Sequence, residues 1–144
     1  MKFQSQRFQN FLAEIIYLFL IFFFCYTSVN KLLNLNSFRT NLIKTSLFSI
    51  NFAEYFSVIV IVFEIIIILI LIFYKKVGLL IFGFTIAIFT LYISYLRFKG
   101  LYEVCGCGGI LNGLHYKYHL LINILLLLGS LFSFFIFNMV NDEK

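Results

Sequence analysis

Residues 55–74 read YFSVIVIVFEIIIILILIFY, twenty positions with one charged side chain, Glu64, and neither glycine nor proline. An α-helix needs about 20 apolar residues to cross the hydrocarbon of a bilayer, and only a helix or a closed barrel satisfies its own backbone N–H and C=O groups there. This stretch is therefore predicted to be a transmembrane helix. Three further runs of similar length and character lie near 11–29, 77–98 and 118–137. Four spans and their connections take up nearly all of the 144 residues. The predicted fold class is an all-α integral membrane four-helix bundle, antiparallel, forming a single transmembrane domain over 1–144.

The composition agrees. Hydrophobic residues make up 62% of the chain and charged residues 12%, a mixture that a water-soluble domain does not have. The net charge of +5 does not point to nucleic acid, because the basic residues flank apolar runs, as they do in membrane proteins. Proline is absent, which predicts fairly straight helices. Lys2 and Arg7 before the first run imitate a secretory leader, but no small-x-small cleavage site follows, and an uncleaved first helix is expected.

Between the first two spans, residues 30–54 are polar yet carry Leu32, Leu35, Phe38, Leu42 and Leu47 at roughly helical spacing, which predicts an amphipathic segment along the interface. Lys75 and Lys76 mark a tight hairpin between the second and third spans. Residues 100–114 form a loop with four glycines between Gly106 and Gly113 and two cysteines, Cys105 and Cys107. Basic residues do not decide the orientation. Lys2, Arg7, Lys75, Lys76 and Lys144 share one side, while Lys31, Arg39, Lys44, Arg97, Lys99 and Lys117 share the other.

The sequence Cys105-Gly106-Cys107-Gly108-Gly109 carries the most chemistry. Its glycines let the backbone reach the dihedrals that a very small disulfide ring demands, and a strained disulfide is the more oxidising one. So small a ring removes little chain entropy, which makes it a poor permanent staple. Cys105 and Cys107 are the candidate catalytic pair. His115, His119 and Asn123 recur every four residues and are expected on one helix face near the loop, where an imidazole would favour a thiolate. Cys-x-Cys followed by His-x3-His also offers four zinc-type ligands, at a spacing shorter than the usual finger. That reading is weaker than the redox one.

Glu64 lies in mid-span, where a charged carboxylate costs about 2.5–3.5 kcal/mol on insertion scales, so a compensating partner is expected. Asn123, Ser94 and Tyr92 are the candidates. Cys25 reads as a small buried hydrophobe, and Lys31, after Ser28, is open to more than one reading.

Together, Ser28-x2-Lys31-Leu32, then Phe38, Leu42 and Ser46, then Glu64, the Cys-Gly-Cys-Gly-Gly loop and Asn123 resemble the methylamine-utilisation E (MauE) family of DoxX-like membrane proteins. The resemblance covers most of the chain. In that family a lysine ends the first span, an acid lies in the second, and a Cys-x-Cys-Phe-Gly loop precedes a last helix bearing an asparagine. Lys31, Glu64, Cys105, Cys107 and Asn123 match those positions. Gly108 replaces the usual phenylalanine, and a proline common before the acid is missing.

The resemblance implies a redox-associated bacterial inner-membrane protein that supports disulfide handling or maturation of extracytoplasmic proteins. Its Cys-Gly-Cys dithiol would exchange with a thioredoxin-like or secreted cysteine-containing partner across a periplasmic loop, with both termini cytoplasmic. The candidate electron acceptors are a quinone in the bundle, by analogy with other four-helix disulfide-forming membrane oxidoreductases, or Cys25, if the fold brings it close. The alternative is a non-catalytic membrane subunit that anchors or assembles a larger membrane complex. Whether the chain is an enzyme is open at this stage. Membrane lipid is an expected partner and nucleic acid is not.

Overall fold

A computed structural model describes residues 2–102, 111 and 113–142. Five helices follow one another: α1 (Lys2–Leu33), α2 (Leu35–Lys44), α3 (Ile50–Phe73), α4 (Lys75–Phe98) and α5 (Tyr116–Asp142). Four of them contain segments long and apolar enough to cross a membrane, Gln6–Leu33, Ile50–Phe73, Lys75–Phe98 and Tyr116–Met139. They pack in the cyclic order α1, α3, α4, α5, with α2 laid mainly against α3. Many large apolar side chains on the outside are exposed, Phe22, Phe84 and Leu91 among them. That is a liability in water and an ordinary surface in lipid.

The first helix runs further toward the N-terminus than its apolar stretch, because nothing between Lys2 and Phe11 breaks a helix. It bends at Asn34 (φ −112°, ψ 38°) without losing the hydrogen-bond ladder: Asn34 N–H bonds to Asn30 O and Phe38 N–H to Asn34 O, both at 3.0 Å. The chain thereby turns into α2 instead of leaving the bundle. α2 stops at Ser46, held at φ 57°, where the left-handed backbone cannot continue a helix. Ser49 then caps α3 by accepting from Phe52 N–H at 3.4 Å.

The α2 segment corrects the amphipathic reading in part. Phe38 and Leu42 are buried and Leu35 is half-buried, packing with Ala53 and Ile61 of α3. Leu32 and Leu47 are exposed, because the bend at Asn34 and the turn after Thr45 take them off the shared face.

One residue, Tyr74, separates α3 from α4, so Lys75 and Lys76 open the fourth helix rather than closing the third. Gly78 makes the hairpin possible: a Cβ there would lie 2.5 Å from Leu71 Cα. At the other end of α4, Gly100 (φ 73°) lets Leu101 N–H reach back to Leu96 O at 2.8 Å and Gly100 N–H to Arg97 O at 3.1 Å. This six-to-one and five-to-two pair is a Schellman stop, completed by Leu101 packing near Leu96. It aims the chain back across the bundle mouth at Tyr102.

The main core joins Leu20 and Phe24 of α1, Ile67 and Leu71 of α3, Leu79 and Phe82 of α4 and Leu126 of α5. Phe24 and Phe82 meet edge to face at 5.0 Å between ring centroids. Cys25, half-buried, packs against this cluster as a small hydrophobe would.

Candidate functional site

At the end of the bundle that holds α2 and the α4–α5 connection, the core opens into a cavity of about 170 Å³. Its walls are mostly rings and branched aliphatics from α1, α2, α3 and α4, among them Phe23, Phe38, Phe56 and Phe89. The polar groups on it are few: Lys31, Glu64, Tyr92, His119 and Asn123, with Thr27.

Glu64 is 0% exposed and Lys31 5%, and the two form an ion pair in the cavity wall. The second carboxylate oxygen of Glu64 accepts from Ser28 Oγ–H at 2.9 Å. α1 and α3 are adjacent, and the turn that carries Ser28 and Lys31 faces the acid of α3, the second span, so both partners come from one helical turn. The partners expected for Glu64 were Asn123, Ser94 and Tyr92. Instead, Asn123 donates to Thr90 Oγ1 at 3.2 Å, Ser94 Oγ pairs with Tyr116 OH at 3.1 Å, and the buried Tyr92 hydroxyl has no partner among the described residues. The Lys31 ammonium lies 5.1 Å from the Phe89 ring centroid and 5.8 Å from that of Phe38, which adds two cation–π contacts where water is excluded. Its aliphatic stem lets a residue near the end of α1 place its charge inward rather than at the interface.

The expected His115, His119 and Asn123 face is only partly formed. His119 (2% exposed) and Asn123 (3%) are buried side by side on α5, whereas His115 is exposed because α5 begins at Tyr116 and leaves it outside the helical register. One exposed and one buried imidazole do not present a joint ligand pair, which counts against the zinc reading.

Tyr102 is the residue that sequence reasoning missed. Its hydroxyl donates to Leu114 O at 2.7 Å and lies 3.0 Å from His119 Nδ1, tying the chain before the cysteine loop to the chain after it. Its ring also packs edge-on against Tyr116 at 5.4 Å. Burial, and then neighbouring Tyr116, hold the Tyr102 phenol above its usual pKa, so it remains a proton donor. No periodicity relates positions 102 and 119, so only the helix stop at Gly100 could have hinted at the contact.

Cys105 and Cys107 lie outside the described residues. Leu111, four positions after Cys107, is buried in the cavity wall.

No curated protein and no solved structure matches the chain. A family model described as "Methylamine utilisation protein MauE" matches residues 9–136, from the first span to the end of the last, and takes in the ion pair, the cysteine loop and Asn123. With four apolar helices and that match over most of its length, this multi-pass membrane protein belongs to the MauE family.

Proposed function

We propose that this protein is a redox-associated component of a bacterial inner membrane and that Cys105 and Cys107 carry out thiol–disulfide exchange with an extracytoplasmic partner. One cysteine attacks a partner disulfide, or is attacked by a partner thiolate, through a mixed disulfide. The observation that carries the reading is the Cys-Gly-Cys pair in the connection between α4 and α5, whose flanks are tied by Tyr102 to Leu114 and His119. The Tyr102 clasp sets the two described ends of the cysteine-bearing connection beside each other, at the mouth of the bundle. The loop faces the periplasm in this reading, with Lys44 at the same end and Lys75 and both termini in the cytoplasm, because dithiols that cycle through disulfides belong to an oxidising compartment.

The test is a non-reducing gel of membranes carrying Cys105→Ala or Cys107→Ala. At least one variant is expected to accumulate a reducible adduct that the double variant lacks. No adduct in either, with function unchanged in the double variant, would replace exchange with the anchoring-subunit reading. A membrane-impermeant maleimide should label reduced Cys105 in intact spheroplasts; labelling only after lysis would reverse the orientation.

A further inference from the structure

The cavity beside the Lys31 and Glu64 pair has a chemistry of its own, and four properties define what fits it. Its surface is largely apolar and ringed by phenylalanines, so the occupant is largely apolar and presents flat faces. Its one buried cation is already matched by a buried anion, so a charged ligand would meet an uncompensated repulsion from one of the two and is excluded. Tyr92 lines the cavity with a buried hydroxyl that has no partner among the described residues, and such a group is normally satisfied. A ligand that accepts a hydrogen bond would satisfy it, and the Lys31 ammonium, with one hydrogen bond among the described residues, offers a second donor. The space of about 170 Å³ suits one six-membered ring, since an apolar cavity of about 150 Å³ takes up benzene. Ile88, exposed at the rim on a helix that faces lipid, puts the way in at the membrane side.

Uncharged, flat, lipid-soluble and bearing hydrogen-bond acceptors on a single ring is a description of a quinone. We propose that this cavity is a binding site for the headgroup of a membrane quinone, with Tyr92 donating to a carbonyl oxygen and Lys31 to a polar substituent or the other carbonyl. Binding needs none of the cysteine chemistry. The use made of the ligand rests on the dithiol reading: the Cys105 and Cys107 thiols lose two electrons and two protons as their S–H bonds break and one S–S bond forms. The quinone ring takes the two electrons and each carbonyl oxygen one proton, so a quinol leaves and no other reactant is needed. Tyr92 and Lys31 are then ligand-binding residues, and Leu111 ties the cysteine-bearing connection to the same cavity wall.

The experiment uses the full chain in lipid nanodiscs, titrated with a short-chain ubiquinone analogue and, in parallel, with an alkylbenzene carrying the same tail. Saturable binding of one quinone per chain is expected, with the alkylbenzene much weaker. Tyr92→Phe should weaken the quinone about three- to tenfold, the equivalent of one hydrogen bond, and leave the alkylbenzene unchanged. Ile88→Trp, at an exposed rim position that tolerates bulk, should weaken both. Equal uptake of quinone and alkylbenzene, or uptake that neither substitution alters, would mean partition into the apolar phase and would overturn the site. A second arm measures quinol formation by absorbance when the reduced protein meets the quinone. Quinol from the native protein and none from the Cys105→Ser/Cys107→Ser variant supports the coupling. Intact binding with no quinol from the native protein, or equal quinol from both, refutes the coupling and leaves the binding site standing.

Discussion

The two ends of the bundle are built by opposite rules. At the end where α3 turns into α4, backbones approach closely and the buried hydroxyls bond to backbone carbonyls of neighbouring helices, while Lys75 and Lys76 pair with Glu14 and Asn138 at the exposed surface. Gly78 lies against Leu71 Cα, Ser130 Oγ donates to Leu79 O at 2.6 Å, Ser133 Oγ to Ala13 O at 3.2 Å and Tyr17 OH to Leu71 O at 2.5 Å. Small residues that permit close contact, with hydroxyls bonding across helices, are how helices associate where lipid supplies no hydrophobic driving force. At the other end the helices splay around a cavity, and the polar side chains bond chiefly to one another: Lys31 and Ser28 to Glu64, Asn123 to Thr90, Tyr102 to His119. One end has been closed for stability. The other keeps space and charge that stability alone does not require.

The largest expected effect breaks that second end. Lys31→Met leaves Glu64 buried opposite no cation, and removing one member of a buried pair costs about 3–5 kcal/mol. The fraction folded in a detergent unfolding titration and the protein level in membranes should both fall sharply. The double substitution Lys31→Met/Glu64→Met should recover most of the loss, because two well-packed apolar side chains replace two charges that had to be desolvated. Glu64→Gln, which keeps a polar partner without the charge, should be milder than Glu64→Lys, which sets two ammonium groups together. Equal levels for all four variants would show that the pair is merely tolerated.

A smaller loss is expected at the closed end. Gly78→Ala places a methyl 2.5 Å from Leu71 Cα, a backbone atom that cannot swing aside, so the hairpin must shift. Overpacking of this kind costs about 1–3 kcal/mol. Gly83→Ala is the control: its nearest neighbour is the Ser130 Oγ at 3.3 Å, the tip of a side chain, and it should be better tolerated. If the order were reversed, the hairpin would not be the tight element described.

How far the sequence reached differs between the two ends for the same reason. Hydropathy is a property of single helices, so four spans and the α-helical bundle follow from runs such as 55–74 without knowing any contact. Glu64 announced its need for a partner, since a mid-span acid is costly wherever the helix sits. The identity of that partner depends on which helix faces which, and nothing local encodes it. Lys31 lies near the end of α1, where a lysine usually reaches for the interface, and its inward reach follows from the α1–α3 packing. His115 failed to join His119 because the four-residue spacing holds only inside a helix, and α5 starts one residue too late. Tyr102 carried no signal, being joined to its partners by the course of the chain after a helix stop.

Among polar contacts inside the bundle, Asn123 to Thr90 should be worth about 0.6 kcal/mol, the usual size of a hydrogen bond between membrane helices. Asn123→Leu and Thr90→Val should each lower the midpoint of a detergent unfolding titration slightly, and the double variant should cost less than the sum of the two single changes by that amount. Strict additivity in the double-mutant cycle would mean the two side chains do not interact.

The smallest change in global stability, and the most specific local one, is expected at Tyr102. Removing its hydroxyl takes a hydrogen bond from Leu114 O and a partner from His119 Nδ1 while keeping the ring against Tyr116. A net loss of about 0.5–1.5 kcal/mol is the ordinary size of such a bond. The fold is held by the four-helix core, to which Tyr102 does not belong, so unfolding of the bundle should move little. The clasp between the two flanks of the cysteine loop should open. Amide exchange in Tyr102→Phe is therefore expected to rise from Gly113 to Tyr118, where the first turn of α5 depends on His115 O accepting from Tyr118 and His119, and to stay unchanged around Leu71 and Gly78. Exchange that rises evenly at both ends would make Tyr102 a general stabiliser. Exchange confined to the α5 entry would show that the open end is held by a local device, separable from the packing that holds the rest.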